Sequence, residues 1–203
     1  MDKKTLRQQI RKRKSEHTAQ QLAQLSLSAI SRLHDIIQTE LREKATYRLE
    51  PSRHEQTWLY DTLHTEENRP TILLYHSLPD EVNTLSLIRQ LHAEGHTVLL
   101  PTVVGTDLEL HVYTGDTDLT TSADFGIAES TGPLFTDYTN IDLAVIPGMA
   151  FTPDGRRLGR GKGFYDRLLP QLSCKKIGLA FPFQIVDDIP CESHDIMMDM
   201  VVI

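Results

Sequence analysis

The sequence predicts an α/β protein, a three-layer αβα sandwich around a mostly parallel central sheet. Three observations carry that expectation. After Pro70, short apolar runs alternate with helix-spaced amphipathic segments in a βαβ rhythm. Runs such as Leu143-Ala144-Val145-Ile146 are apolar throughout, as strands covered on both faces are. A glycine-rich loop follows that run and precedes helix-spaced leucines, where open parallel sheets hold ligands beyond the carboxyl ends of their strands.

In chain order, Lys3 to about Lys14 reads as a short amphipathic helix, with Leu6 and Ile10 four apart and basic residues around them. Lys3 and Arg7 share a face, while Arg11 to Lys14 read as solvated. Thr18-Ala19-Gln20-Gln21 has the form of a capping box ahead of Leu22, Leu25, Ala29, Ile30 and Leu33, which predicts a second helix to about Leu41. Residues 44–69 are polar, rich in His and Glu, and carry no assignable period. Thr71 to Tyr75 reads as a strand, Asp80 to Glu94 as a helix stopped at Gly95, and Thr97 to Leu100 as the next strand. Leu108 to Tyr113 alternates like a half-exposed strand, and turn signals follow at Gly115-Asp116, Gly126 and Gly132-Pro133. Leu143 to Ile146, Lys176 to Phe181 and Met200 to Ile203 read as interior strands. Phe164, Leu168, Leu169 and Leu172 predict a helix from Phe164 to Leu172.

Composition narrows the function classes. At 203 residues the chain suits a single domain spanning 1–203, with a variable segment near 44–69. It is 39% hydrophobic and 24% charged, and no run approaches the roughly 18 apolar residues of a bilayer span, so no membrane partner is expected. The formal net charge of −7 argues against general nucleic-acid binding, although seven of the twelve residues from Lys3 to Lys14 are Lys or Arg. Cys174 and Cys191 are too few for a disulfide scaffold or a four-ligand zinc site. Together with a start, Met1-Asp2-Lys3-Lys4, that lacks the apolar stretch of a secretory signal, this places the expected home in a reducing cytoplasm.

The chemistry concentrates in Arg157-Leu158-Gly159-Arg160-Gly161-Lys162-Gly163-Phe164-Tyr165-Asp166. Glycine permits positive φ and lets backbone N–H groups approach phosphate oxygens, and the interleaved cations neutralise what the amides only partly screen. A helix starting at Phe164 adds N-terminal amides that can face an anion. The spacing Gly-x-Gly-x-Gly is neither the dinucleotide pattern nor the P-loop pattern. Lys162 is followed by Gly163 and Phe164, so no hydroxyl stands where a P-loop places its magnesium ligand, and Asp166 is the nearest candidate. A basic glycine-rich surface turn is the plain alternative.

Pro147-Gly148-Met149-Ala150-Phe151, Gly155 and Arg157 to Asp166 together resemble the signature of the 5-formyltetrahydrofolate cyclo-ligase family. Lys3-Lys4-Thr5-Leu6-Arg7 is similar to that family's N-terminal start, Tyr75 to Thr84 to its strand-loop-helix with an Asp-Glu pair, and Asp195 to Asp199 to its acidic approach to the last strand. The resemblance implies conversion of 5-formyltetrahydrofolate to 5,10-methenyltetrahydrofolate with ATP as co-substrate and Mg2+, releasing ADP and phosphate. A phosphorylated formyl intermediate would be attacked by the folate N10. It implies ATP contacts from Lys3, Arg7, Arg157, Leu158, Gly159, Arg160, Gly161, Lys162, Gly163, Phe164 and Tyr165, with Arg160 and Lys162 acting catalytically. It assigns substrate contacts to His76, Glu81, Arg160 and Phe164, and metal ligation to Asp166 and Asp195. His76 stands where the family pattern leads one to expect an apolar residue. The implied partner is the folate, with or without a polyglutamate tail, and the implied state a monomer or weak homodimer.

Plainer roles compete at several positions. Lys3 and Arg7 could form a solvated basic face, Glu81 could be a first-turn carboxylate favoured by a helix dipole, and Asp195 and Asp199 could be strand-edge or turn residues. Tyr75 and Phe151 read as core, and Phe164 and Tyr165 as part core and part pocket wall. Two other functions remain open: an ATP-independent isomerase or acyl-transferase on a similar sandwich, and a non-catalytic folate or nucleotide binder.

Overall fold

The computed structural model describes residues 1–48, 69–121, 128–192 and 195–203. Most of the 44–69 segment, namely 49–68, lies outside these residues, as does Gly126. Helix α1 spans Lys3–Ser15 and starts at Asp2, whose Oδ1 accepts the Thr5 N–H at 2.8 Å. Helix α2 spans Ala19–Arg48. Its capping box forms as the sequence reads: Thr18 N–H donates to Gln21 Oε1 at 2.8 Å and Gln21 N–H to Thr18 Oγ1 at 3.2 Å. Thr18→Ala is expected to lower stability by about 1 kcal/mol, read as a shift of the urea midpoint at constant slope.

The remaining elements are β1 (Thr71–Leu73), α3 (Leu85–Ala93), β2 (Thr97–Val104), β3 (Asp107–Val112), β4 (Leu119–Thr121), β5 (Ala128–Ser130) and β6 (Leu134–Phe135). They continue with β7 (Leu143–Pro147), β8 (Ala150–Phe151), β9 (Arg157–Leu158), α4 (Phe164–Leu168), β10 (Lys175–Leu179) and β11 (Met200–Val202). Among the described residues, seven strands form one sheet in the order β11-β10-β7-β1-β2-β3-β6. The five from β11 to β2 are parallel, and β3 and β6 add antiparallel pairings at one edge.

Alternation along the strands sorts the core into two layers. Ile72, Val98, Leu100, Val145, Ile177 and Leu179 face α2 and α3, meeting Leu33, Ile37, Leu87 and Leu91. Leu73, Leu99, Ala144 and Ile146 face the other way, onto Leu168, Leu169 and Leu172. Each fully buried aliphatic side chain contributes roughly 1.5–3 kcal/mol relative to exposure. This is the expected αβα plan. Among the described residues no helix is long and apolar enough to cross a membrane.

Several boundaries differ from the sequence pattern, each for a tertiary reason. Helix α2 runs past Leu41 to Arg48, with Lys44 Nζ donating to the Asp142 carbonyl at 2.6 Å. The helix expected from Asp80 begins only at Leu85, because residues before it bond elsewhere: Thr84 Oγ1 donates to the Tyr75 carbonyl at 2.5 Å and Glu81 N–H to the Leu78 carbonyl at 3.0 Å. Strand β2 extends from Leu100 to Val104 through its antiparallel pairing with β3. The helix expected from Phe164 to Leu172 is α-helical only to Leu168 and continues as a 3-10 turn, Leu169–Gln171, around Pro170, which has no N–H to continue the ladder.

Candidate active site

The chain leaves β1 toward β2 on one side of the sheet and later returns to β7 on the other, so β1 and β7 meet at the topological switch point. Open α/β sheets form a crevice there, outside the carboxyl ends of the strands. Here Tyr75 and His76, which follow β1, Pro147, which ends β7, and Gly148, which follows it, line one pocket. Residues from four other places complete its wall: Lys3 and Arg7 of α1, Glu81, the loop from Arg157 to Asp166, and Asp195. Pro101, Val103 and Leu108 give one side an apolar lining.

The loop owes its course to a hairpin and to two glycines. Strands β8 and β9 pair antiparallel, Ala150 with Leu158 and Phe151 with Arg157, which turns the chain back toward the end of β7. Leu158 is buried with Leu6, Ile10, Met149 and Ala150, so its side chain fixes α1 against the hairpin. Arg7 Nε donates to the Gly159 carbonyl at 2.8 Å. Gly161 and Gly163 have φ of 98° and 74°, the left-handed region in which a side chain is strained. A Cβ at Gly163 would also stand 2.7 Å from Arg167 Nη1.

The loop's cations have different surroundings. Arg157 is turned inward: its side chain is 5% exposed, Nη2 donates to Asp166 Oδ1 at 2.7 Å, Nη1 donates to the Pro147 carbonyl at 3.3 Å, and its guanidinium lies 5.4 Å from the Tyr165 ring centroid. Burial pulls its pKa below the ordinary value, against the charge of Asp166. Arg160 reaches the other wall, where Nε and Nη2 both donate to Glu81 Oε1, at 3.0 and 2.8 Å, and Nη2 to Asp80 Oδ1 at 2.5 Å. Arg160 Nη1 and the whole Lys162 ammonium have no hydrogen-bond partner among the described residues. These two groups are available to an anion.

The carboxylates are equally differentiated. Glu81 is buried and lies in a turn rather than in a helix, its Oε2 accepting the Leu78 N–H at 3.1 Å. Burial raises Asp80, but the hydrogen bond from Arg160 and the charge of Lys14 outweigh it and hold the carboxyl below its usual value. Asp195 Oδ2 accepts from Lys3 Nζ at 2.8 Å and from the Glu192 N–H at 2.8 Å. Asp199 lies apart from the pocket and staples the sheet, accepting the Lys176 N–H at 2.7 Å.

Among the described residues no three His, Cys, Asp or Glu side chains converge as a metal cage. Asp166 and Asp195, on one pocket with Asp166 Oδ2 outside the Arg157 pair, still fit Mg2+, which takes one or two carboxylates and completes its shell with phosphate and water. His76 is half-buried, its Nδ1 has no partner among the described residues, and burial lowers its pKa. Phe164 and Tyr165 line the pocket, and burial raises the Tyr165 phenol.

Three residues that support this site carried no site role in the sequence reading. Lys14, grouped with the solvated Arg11 to Lys14, is buried instead and donates to the Asp80 carbonyl at 2.7 Å and to Oδ2 at 3.1 Å. Its helical register with Lys3 and Arg7 was the available signal. Asp80 joins Lys14 to Arg160. Buried Gln184 donates to the Gly148 and Met149 carbonyls at 2.8 and 3.0 Å while Oε1 accepts the Phe181 N–H at 2.8 Å, a role that no local pattern announces.

A model of the 5-formyltetrahydrofolate cyclo-ligase family matches residues 1–203. The 5-formyltetrahydrofolate cyclo-ligase of Haemophilus influenzae is 32% identical over 176 residues, 79% of this chain and 91% of that protein. The Mus musculus cyclo-ligase is 28% identical over 153 residues, 66% of this chain and 73% of its own. The solved structure of Aquifex aeolicus 5,10-methenyltetrahydrofolate synthetase matches the fold with a TM-score of 0.72 at 27% identity, covering 100% of this chain and 89% of that one. With the match running from the first residue to the last, over a fold that those solved coordinates share, the chain belongs to the 5-formyltetrahydrofolate cyclo-ligase family.

Proposed function

We propose that the protein converts 5-formyltetrahydrofolate to 5,10-methenyltetrahydrofolate in an ATP- and Mg2+-dependent reaction that releases ADP and phosphate. The observation that carries this reading is the convergence of α1 with the glycine loop: Arg7 and Gly159, 152 residues apart, bond directly at the switch-point pocket. The folate-side residues His76 and Glu81 line the same pocket.

An N-formyl oxygen is a poor leaving group. Transfer of the γ-phosphoryl group onto that oxygen, with ADP departing, makes it a good one. N10 then attacks the formyl carbon, the carbon–oxygen bond breaks as phosphate leaves, and N10 gives up its proton to complete the methenyl bridge. Charge spreads over the phosphoryl oxygens during transfer, where Lys162 and Arg160 Nη1 stabilise it. Lys3, Arg7 and the backbone of the glycine loop hold the polyphosphate, with Mg2+ at Asp166 and Asp195 neutralising part of its charge when bound. Arg160 does not have to release Glu81 to do this, since its Nε and Nη2 make those bonds. Glu81 can accept further hydrogen bonds from the pterin amino and ring N–H groups.

The test is incubation with ATP, Mg2+ and 5-formyltetrahydrofolate, followed by methenyl absorbance and ADP release. Lys162→Ala is expected to lower kcat by about 10²–10³-fold without loss of fold. Turnover without nucleotide would replace this reading by the ATP-independent isomerase or acyl-transferase. Tight folate binding without turnover would replace it by the non-catalytic binder.

A further inference from the structure

We infer that Lys14 is a positioning residue of this site: from the far end of α1 it holds Asp80, and through Asp80 the guanidinium of Arg160, where the reaction needs it. The inference rests on the role proposed above for Arg160. Lys4, Arg11, Lys12 and Arg13 of the same basic segment are exposed, whereas the Lys14 side chain is 5% exposed. A lysine tip withdrawn from water costs free energy unless its donors are matched. Lys14 meets that demand on one residue, donating to the Asp80 carbonyl at 2.7 Å and to Oδ2 at 3.1 Å. The other carboxylate oxygen of Asp80, Oδ1, accepts from Arg160 Nη2. Asp80 therefore has a cation on each oxygen, one structural and one facing the pocket.

Helix α1 explains how a residue so far from the loop can be registered against it. At 100° per residue, Lys3, Arg7, Ile10 and Lys14 fall within about 60° around the helix axis, and Lys3 to Lys14 spans about 16 Å. That single stripe touches three separate parts of the site: the turn at Asp195 through Lys3, the Gly159 carbonyl through Arg7, and Asp80 through Lys14. Leu6 and Ile10, packed on Met149, Ala150 and Leu158, fix the helix against the hairpin that launches the glycine loop. The helix is a strut whose two ends set the distance between the nucleotide wall and the folate wall. Burial lowers the Lys14 pKa against the opposing charge of Asp80, as a desolvated but matched ammonium requires.

The experiment uses the full chain carrying Lys14→Met, Asp80→Asn, both together, and Lys14→Arg. The readouts are kcat/KM for methenyl formation, thermal melting, and the Arg160 Nε–H resonance in 1H–15N spectra, assigned with Arg160→Lys. Lys14→Met is expected to lower kcat/KM by about tenfold to a hundredfold and to shift the Arg160 resonance while leaving the melt close to wild type. The double variant should be no worse than the poorer single one, and Lys14→Arg should restore most activity. Losses that multiply in the double variant, or that track the melting temperature, would overturn the inference. An Arg160 resonance unmoved by Lys14→Met would do the same. Lys14→Gln, which keeps a donor for the Asp80 carbonyl, takes the place of Lys14→Met if that variant does not fold. If the wild type forms no methenyl product, the functional reading fails, while the Arg160 resonance still decides what Lys14 does.

Discussion

Arg160→Ala is expected to reduce methenyl formation by about 10³-fold or more, the size of effect that removal of an arginine from a phosphoryl-transfer site produces. Arg160 spans the pocket, with Nε and Nη2 on Glu81 and Asp80 and Nη1 turned to no partner among the described residues. Truncation therefore removes a cross-link between the two walls and, in the proposed reaction, a cation from the path of phosphoryl transfer. Asp80 keeps Lys14 as a counter-charge, but Glu81, with its side chain 8% exposed, loses its cation, so folate affinity should fall as well. Arg160→Lys keeps a charge but not the fork that places two N–H groups on one oxygen, and its activity should lie between wild type and alanine. Full turnover by Arg160→Ala in the absorbance assay would sink the assignment.

Phe151→Ala is expected to cost about 3–5 kcal/mol, the largest stability loss foreseen for a single substitution here. The ring is fully buried. It fills two notches that glycine leaves open: a Cβ at Gly148 would lie 2.6 Å from Phe151 Cζ, and one at Gly178 would lie 2.6 Å from Cε1. The ring thus packs between the end of β7 and strand β10, directly behind the pocket residue Gly148. Its removal leaves a void that the rigid sheet cannot collapse into. A drop in melting temperature of roughly 6–20 °C should follow for a chain of this size. A shift of only a degree or two would show that the core repacks around the hole.

Much of the fold was legible because its signals are local. The capping box at Thr18 and Gln21 bonds as written, the apolar runs at Ile72, Val98, Val145 and Ile177 became central strands, and Gly95 ends α3. Boundaries were less legible wherever a distant group intervened. Lys44 prolongs α2 by reaching Asp142, and Thr84 is drawn back to the Tyr75 carbonyl instead of starting a helix at Asp80. In the pocket, the meeting of Lys3 and Arg7 with the glycine loop was expected, while the partners of each charge were not.

By itself the sequence determined the αβα plan, the loop at the end of a buried strand, and the family to which the chain belongs. Periodicity, glycine spacing and capping chemistry act over a few residues, so they survive being read in a line. Only the tertiary structure decided which cation does what. Arg157 is turned inward onto Asp166, Arg160 is set across the pocket on Glu81, Lys162 is left exposed on the pocket wall, and Lys14 is withdrawn from a basic run to hold Asp80. The reason is that a charge takes its role from the burial and counter-charges around it, and here those come from segments many tens of residues away, brought together at the switch point of the sheet.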